Sequence, residues 1–257
     1  MTRLAFITGA SSGIGQALAR RYLNGGFGLA LVARRTAEIE RWARSQEIPA
    51  GRYRVYGADV SQTGEIIQAG RRCIEAQGLP DVVIANAGIS VGVDSADERD
   101  IETIAMTFAT NNVGMAATFQ PFIAPMRARA SGTLVGIASV AGIRGLPGHA
   151  AYCASKAAVI AYCESLRGEL RGSGVRVTTI APGYIDTPLT RRNRYPMPFL
   201  MTPEAFAEQA FRTIDADTSY RVIPWQMGVV AKLLKAMPNA LFDRALVGRP
   251  RKHRSGD

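Results

Sequence analysis

Leu4-Ala5-Phe6-Ile7-Thr8-Gly9-Ala10-Ser11-Ser12-Gly13-Ile14-Gly15 is the stretch on which the fold turns. An apolar run, Leu4–Thr8, passes straight into a glycine-rich turn. The turn then opens into a segment with apolar residues at Ile14, Ala17, Leu18 and Leu23, close to helical period. Strand, turn and helix in that order aim backbone N–H groups and the positive end of a helix dipole at the turn, where a phosphate binds. Glycine-rich loops are often only turns, so the position of this one between strand and helix supplies its meaning. The glycines stand at 9, 13 and 15, a spacing that differs from G-x-G-x-x-G. The apolar start after Arg3 has a superficial likeness to a signal peptide. It is too short, and it enters a tight turn rather than a cleavage site.

Outward from this unit, short apolar runs alternate with longer amphipathic stretches, the pattern of βαβ units and a parallel sheet. The sequence predicts strands at Leu4–Thr8, Gly28–Ala33, 52–57, Val82–Ala85, Gly132–Ile137, 175–180 and Tyr220–Ile223, with helices at 14–24 and 151–170. Several strands are apolar with little alternation, as in a sheet covered on both faces. The expected fold is α/β: one domain over 1–257, a doubly wound parallel sheet of about seven strands with helices on both faces. The loosest segment is 188–203, which holds four prolines, and 224–257 reads as a C-terminal helical extension. Within it 227–236 is an amphipathic helix, ended or kinked by Pro238.

The 257 residues need no disulfide or metal staple. Cys73, Cys153 and Cys163 show no CxxC spacing and fit a reducing cytoplasm, and two histidines, His149 and His253, leave little room for metal chemistry. No stretch approaches the roughly 18 apolar residues of a membrane span. A net charge of +10 raises nucleic acid as a partner, but the arginines are spread along the chain and no nucleic-acid motif accompanies them. Arg249, Arg251, Lys252 and Arg254 cluster in the tail, which reads as a solvated end.

After the second strand, Arg34 and Arg35 stand where an acid would accept the 2′-hydroxyl of NAD. An arginine there pairs with a 2′-phosphate instead, so the cofactor read from these residues is NADP(H). Either arginine could carry that contact. Tyr152 and Lys156 lie four apart in a helical pattern and share a face. A nearby ammonium favours the phenolate of a tyrosine whose free pKa is ~10.

Thr8–Gly15, the triplet Asn86-Ala87-Gly88, Asn111-Asn112-Val113-Gly114, Ser139 thirteen residues before Tyr152, Tyr152-Cys153-Ala154-Ser155-Lys156, and Pro182-Gly183 followed by Thr187 together resemble the short-chain dehydrogenase/reductase family, over roughly residues 1–190. The resemblance implies a Rossmann-type domain and an NADPH-dependent oxidoreductase that moves hydride between nicotinamide and a carbonyl or alcohol. It implies Tyr152 as general acid or base, Lys156 lowering its pKa and holding the nicotinamide ribose, Ser139 on the substrate oxygen and Asn111 holding a relay water. Gly9, Ser11, Ser12, Gly13, Ile14 and Gly15 would then follow the cofactor phosphates and ribose, and Asp59 and Val60 would bracket the adenine. Asn86, Ala87 and Gly88 follow the fourth strand, and Pro182, Gly183, Ile185 and Thr187 would face the nicotinamide. Ala138 stands where the family often has a first serine.

The resemblance also implies a homodimer or homotetramer and a variable substrate lid in 188–203. Tyr195, Met197, Phe199 and Met201 there suggest a bulky apolar substrate. Trp225, Val229, Val230, Leu233, Leu234 and Phe242 either cover the pocket or a subunit partner, or rest on a membrane surface. The alternative to an enzyme is a catalytically idle NADP-binding sensor or scaffold.

Overall fold

The computed structural model describes residues 2–191, 193, 196–248 and 254. Arg192, Arg194 and Tyr195 of the expected lid, and Arg249, Arg251, Lys252 and His253 of the tail, lie outside the described residues. The chain runs β1 (Leu4–Thr8), α1 (Gly13–Asn24), β2 (Gly28–Ala33), α2 (Thr36–Ser45), β3 (Tyr53–Gly57), α3 (Thr63–Gln77) and β4 (Val82–Ala85). It continues with α4 (Asp100–Phe108), a π-turn (Ala109–Val113), α5 (Gly114–Arg129), β5 (Gly132–Ile137), α6 (Ala150–Glu169) and β6 (Val175–Pro182). α7 (Pro203–Asp215), β7 (Tyr220–Ile223), α8 (Trp225–Ala236) and α9 (Asn239–Leu246) complete it.

The seven strands form one sheet in the order β3-β2-β1-β4-β5-β6-β7, parallel at every pairing. The order reverses between β1 and β4, and the crevice of such a sheet opens there, at the carboxyl ends of the strands. Side chains alternate across the sheet. Leu4 and Phe6 join a core with α3, α5 and α6, whereas Ala5 and Ile7 join one with α1, α2 and α7. The rings of Phe6 and Phe122 meet at 4.9 Å, and truncating such a buried ring to alanine costs about 3–5 kcal/mol.

Differences from expectation are local. β3 starts at Tyr53 because residues 50–52 form a 3-10 turn after Pro49. β6 runs on to Pro182, beyond the expected 180, and α8 begins at Trp225, directly after Pro224. The tail residue Arg254 is not solvated as expected: it pairs with Asp97 and Asp100 and forms a bridge with Gly92. Among the described residues no helix is long and apolar enough to cross a membrane.

Candidate active site

The glycine turn is shaped by contacts that only glycine allows. Gly9 has φ +68°, and a Cβ on Gly15 would lie 2.1 Å from the Gly9 carbonyl oxygen. The turn and the first turn of α1 are therefore in backbone contact. Ser12 precedes α1 in extended conformation, no side chain caps that helix, and no acid sits in its first turn. Its amino end is thus left open to an anion from outside the helix.

Thr8, to which the spacing assigns no role, fixes the loop beside this turn. Its hydroxyl accepts from the backbone N–H groups of Asn86 and Ala87, both at 3.1 Å. Asn86 Nδ2 donates to the Thr8 carbonyl at 2.9 Å. β1 and β4 are locked side by side, with Asn86 tied to Thr8 and to the carbonyl of Gly9. On the other flank the Thr187 methyl group closes on Gly13, 3.0 Å from where its Cβ would be. Gly183 donates to the Ile223 carbonyl at 2.7 Å, and Ile185 is buried and bridges Met201. Pro182 ends β6. At the far end of the crevice Arg34 and Arg35 are exposed after β2. Arg34 Nη1 lies 3.4 Å from Asp59 Oδ2, whose carboxyl is held low because burial is outweighed by Ser61 and Arg34. Val60 is buried, its carbonyl against Gly114 at the start of α5.

The four expected catalytic residues converge. A Cβ on Gly88 would stand 3.1 Å from Asn111 Oδ1 and 3.5 Å from Lys156 Nζ. Lys156 is buried, donates to the Ile137 carbonyl at 2.8 Å, and lies 5.8 Å from the centre of the Tyr152 ring. Ser139 lies near enough to the Tyr152 hydroxyl to act on its proton affinity. Ser139 also caps the short turn after β5 by accepting from Ala141 N–H at 3.1 Å. That turn lies flat on α6, since a Cβ on Gly142 would meet the Lys156 carbonyl carbon at 2.6 Å.

Burial works against both charged forms at this pair. It pushes the Tyr152 phenol up, with the neighbouring Ser139 hydroxyl working against it. Burial also pushes the Lys156 ammonium down, to about 8.

Asn111 sits in the π-turn, where one extra residue per turn re-aims side chains. Its amide is fully engaged: it accepts from Ile89 N–H at 2.8 Å, and donates to the Ile89 carbonyl at 3.0 Å and to Ser155 Oγ at 2.9 Å. Ser155 was visible inside Tyr152–Lys156 only as a spacer. Its partnership with Asn111, 44 residues away, needs the fold to appear.

A second cleft, of about 210 Å³, opens at the other end of the sheet, between Arg3, Tyr22, Phe27, Asp81 and Arg176. It lies at the amino ends of the strands, away from this constellation.

The short chain dehydrogenase family profile matches residues 3–197. The chain belongs to the short-chain dehydrogenase/reductase family. An uncharacterized oxidoreductase of Myxococcus xanthus is 38% identical over 246 residues, covering 95% of this chain and 96% of the relative. A short-chain dehydrogenase/reductase from Burkholderia phymatum, solved in complex with NAD, superposes with a TM-score of 0.81 at 23% identity, covering 90% and 92% of the two chains. ElxO with NADP bound gives 0.79 at 22%, covering 87% and 97%. At those identities the structures show the shared fold. This short-chain dehydrogenase/reductase is an oxidoreductase that uses a nicotinamide cofactor on a CH–OH or C=O group of a small molecule. The open amino end of α1 and the backbone contact at Gly15 suit the dinucleotide of that cofactor.

Proposed function

We propose that the protein is an NADPH-dependent reductase of a bulky apolar carbonyl compound, working in reverse on the alcohol. The observation that carries this reading is the convergence at Gly88: Lys156, one helical turn from Tyr152 and 5.8 Å from its ring, and Asn111 both close on that glycine, with Ser139 beside Tyr152. Bound, the cofactor supplies the hydride. Tyr152 gives its hydroxyl proton to the substrate oxygen in reduction and takes it back in oxidation. Ser139 donates to the same oxygen and stabilises the charge growing on it. Lys156, charged below about pH 8, favours the phenolate and holds the ribose. The Asn111 side chain is committed to Ile89 and Ser155, so the relay water falls to its main chain.

Gly9, Ser11, Ser12, Gly13, Ile14 and Gly15 would cradle the phosphates, with Asp59 and Val60 around the adenine. Ala87 and Gly88, backed by Asn86, would line the path from there to the nicotinamide, with Pro182, Gly183, Ile185 and Thr187 on its far side. Exposed Arg34 and Arg35 support a 2′-phosphate and hence NADP(H). Within one domain over 1–257, residues 188–203 would form the lid and 224–257 the extension. Exposed Ile101 and Met106 on α4, Val113 beside it and Tyr162 on α6 support a homo-oligomer built on those helices.

The test is NADPH oxidation against aldehydes and ketones of graded size, wild type beside Tyr152→Phe, with NADH in parallel. Turnover that prefers NADPH and large apolar substrates and vanishes in Tyr152→Phe is expected. Turnover that survives Tyr152→Phe, or that prefers NADH, overturns the reading. NADPH binding with no turnover of any substrate moves the protein to the idle sensor.

A further inference from the structure

Two sets of exposed apolar side chains stand out among the described residues. One, on α4 and α6, serves the oligomer just described. The other lies on α8, where Trp225, Val229 and Leu233 recur every fourth residue with 65%, 48% and 65% of their surfaces exposed. Met227 and Ala231, on the opposite side of the same helix, are buried, so α8 is anchored by one face and bare on the other. Arg144 secures this arrangement. From the loop after Ser139 it donates to the carbonyls of Leu234 and Met237 at the end of α8, and its guanidinium lies 3.9 Å over the Phe242 ring of α9. The bare stripe is thus held by the catalytic end of the molecule. The exposed lid residues Leu189, Phe199 and Leu200 belong to the same end, because Gly183 packs on Met227 while Ile185 bridges Met201.

Charge says what covers this face. α8 holds two lysines, Lys232 and Lys235, both exposed, and no acid. Over the described residues 224–248, Lys232, Lys235 and Arg244 stand against one acid, Asp243, a net of +2. A protein partner would be asked to match a bare apolar ridge and the lysines that flank it together. An anionic lipid surface offers both, apolar depth for the ridge and a negative headgroup layer for the cations.

We propose that α8, with the lid tip beside it, docks on an anionic membrane surface. There the helix lies in the plane of the headgroups, and the catalytic end faces a reservoir of apolar compounds. The docking itself stands apart from the reading of Tyr152 and of the substrate, and it is tested without turnover.

The experiment is co-sedimentation of the full chain with vesicles of phosphatidylcholine, alone or mixed with phosphatidylglycerol, at low and high salt. Trp225 fluorescence is followed in a Trp42→Phe background. Binding to the mixed vesicles only, lost at high salt and accompanied by a blue shift of Trp225, is expected. The pair Lys232→Glu and Lys235→Glu should weaken binding by roughly thirtyfold or more. Leu233→Ser, at an exposed position where folding is undisturbed, should abolish the blue shift. No binding to the mixed vesicles at low salt overturns the proposal, as does equal binding to neutral ones. So does an oligomer that dissociates in Leu233→Ser, because α8 would then be a contact between copies.

Discussion

Asn111 Nδ2 donates to the Ser155 hydroxyl at 2.9 Å, and that hydroxyl donates in turn to the Tyr152 carbonyl at 2.8 Å. The π-turn is thereby tied to α6 between Tyr152 and Lys156. Asn111 also holds both backbone groups of Ile89, so removing its amide frees the loop after β4 as well. Asn111→Ala is expected to cost more than Ser155→Ala, each on the order of 1–3 kcal/mol because buried donors lose partners. The double variant should cost less than the sum, since the two share one bond. Urea unfolding of the four proteins measures this, and strict additivity would refute the coupling.

Gly15 and Gly64 separate close packing from mere helix position. A Cβ on Gly15 would stand 2.1 Å from the Gly9 carbonyl oxygen, while one on Gly64, in the first turn of α3, meets nothing within 4 Å. Gly15→Ala must push the glycine turn off α1. It should lose about 1–3 kcal/mol or more, along with dinucleotide binding. Gly64→Ala should instead gain up to about 1 kcal/mol through helix propensity and a less free unfolded chain. Thermal unfolding and NADPH fluorescence titration read both. Normal cofactor affinity in Gly15→Ala would show that the contact does not shape the site.

What was legible in the sequence is what depends on period and order. Five of the seven strands have the expected bounds, because fully buried parallel strands are short apolar runs between breakers and little else in the chain has that form. The Tyr152–Lys156 pair was readable from helical spacing, and Ser139 and Asn111 beside it were implied by the family resemblance. What escaped are partnerships between distant residues of ordinary type. Thr8 is a threonine ending a strand until Asn86 and Ala87 arrive beside it, and Arg144 is one arginine among many until α8 ends above it. The sign of the Tyr152 shift escaped for a related reason. The Lys156 charge is readable from spacing, whereas the burial that opposes it is a property of the packed site.

Burial that lowers Lys156 from 10.5 to about 8 makes stability depend on pH. The folded state must hold this ammonium charged below about pH 8, whereas the unfolded chain keeps its proton up to about pH 10.4. Between those values the unfolded chain binds more protons, so this group's contribution to stability rises with pH. The cost is full below about pH 8 and gone above about pH 10.4. Lys156→Met removes the charge while keeping the length of the side chain. Its stability relative to wild type should therefore be highest near pH 7 and fall by a few kcal/mol, in order of magnitude, towards pH 10. Paired urea titrations across that range check the trend. A difference that stays level or grows would show that Lys156 is not charged at a cost.

Arg34 meets Asp59 across the carboxyl ends of β2 and β3, but the pair is long, at 3.4 Å, and the arginine is 67% exposed. Such a pair is worth little, so the guanidinium can leave Asp59 for a doubly charged phosphate at small cost. Arg34→Asp puts two carboxylates at that place. It should repel a 2′-phosphate while offering an acceptor to a 2′-hydroxyl. The ratio of kcat/KM for NADPH over NADH is expected to fall by about tenfold to a hundredfold, the worth of one hydrogen bond to a charged group. Most of that change should appear as weaker NADPH binding, with kcat little altered, because the adenosine end is remote from the reacting carbon. An unchanged ratio in Arg34→Asp that falls only when Arg35 is also replaced would assign the phosphate to Arg35.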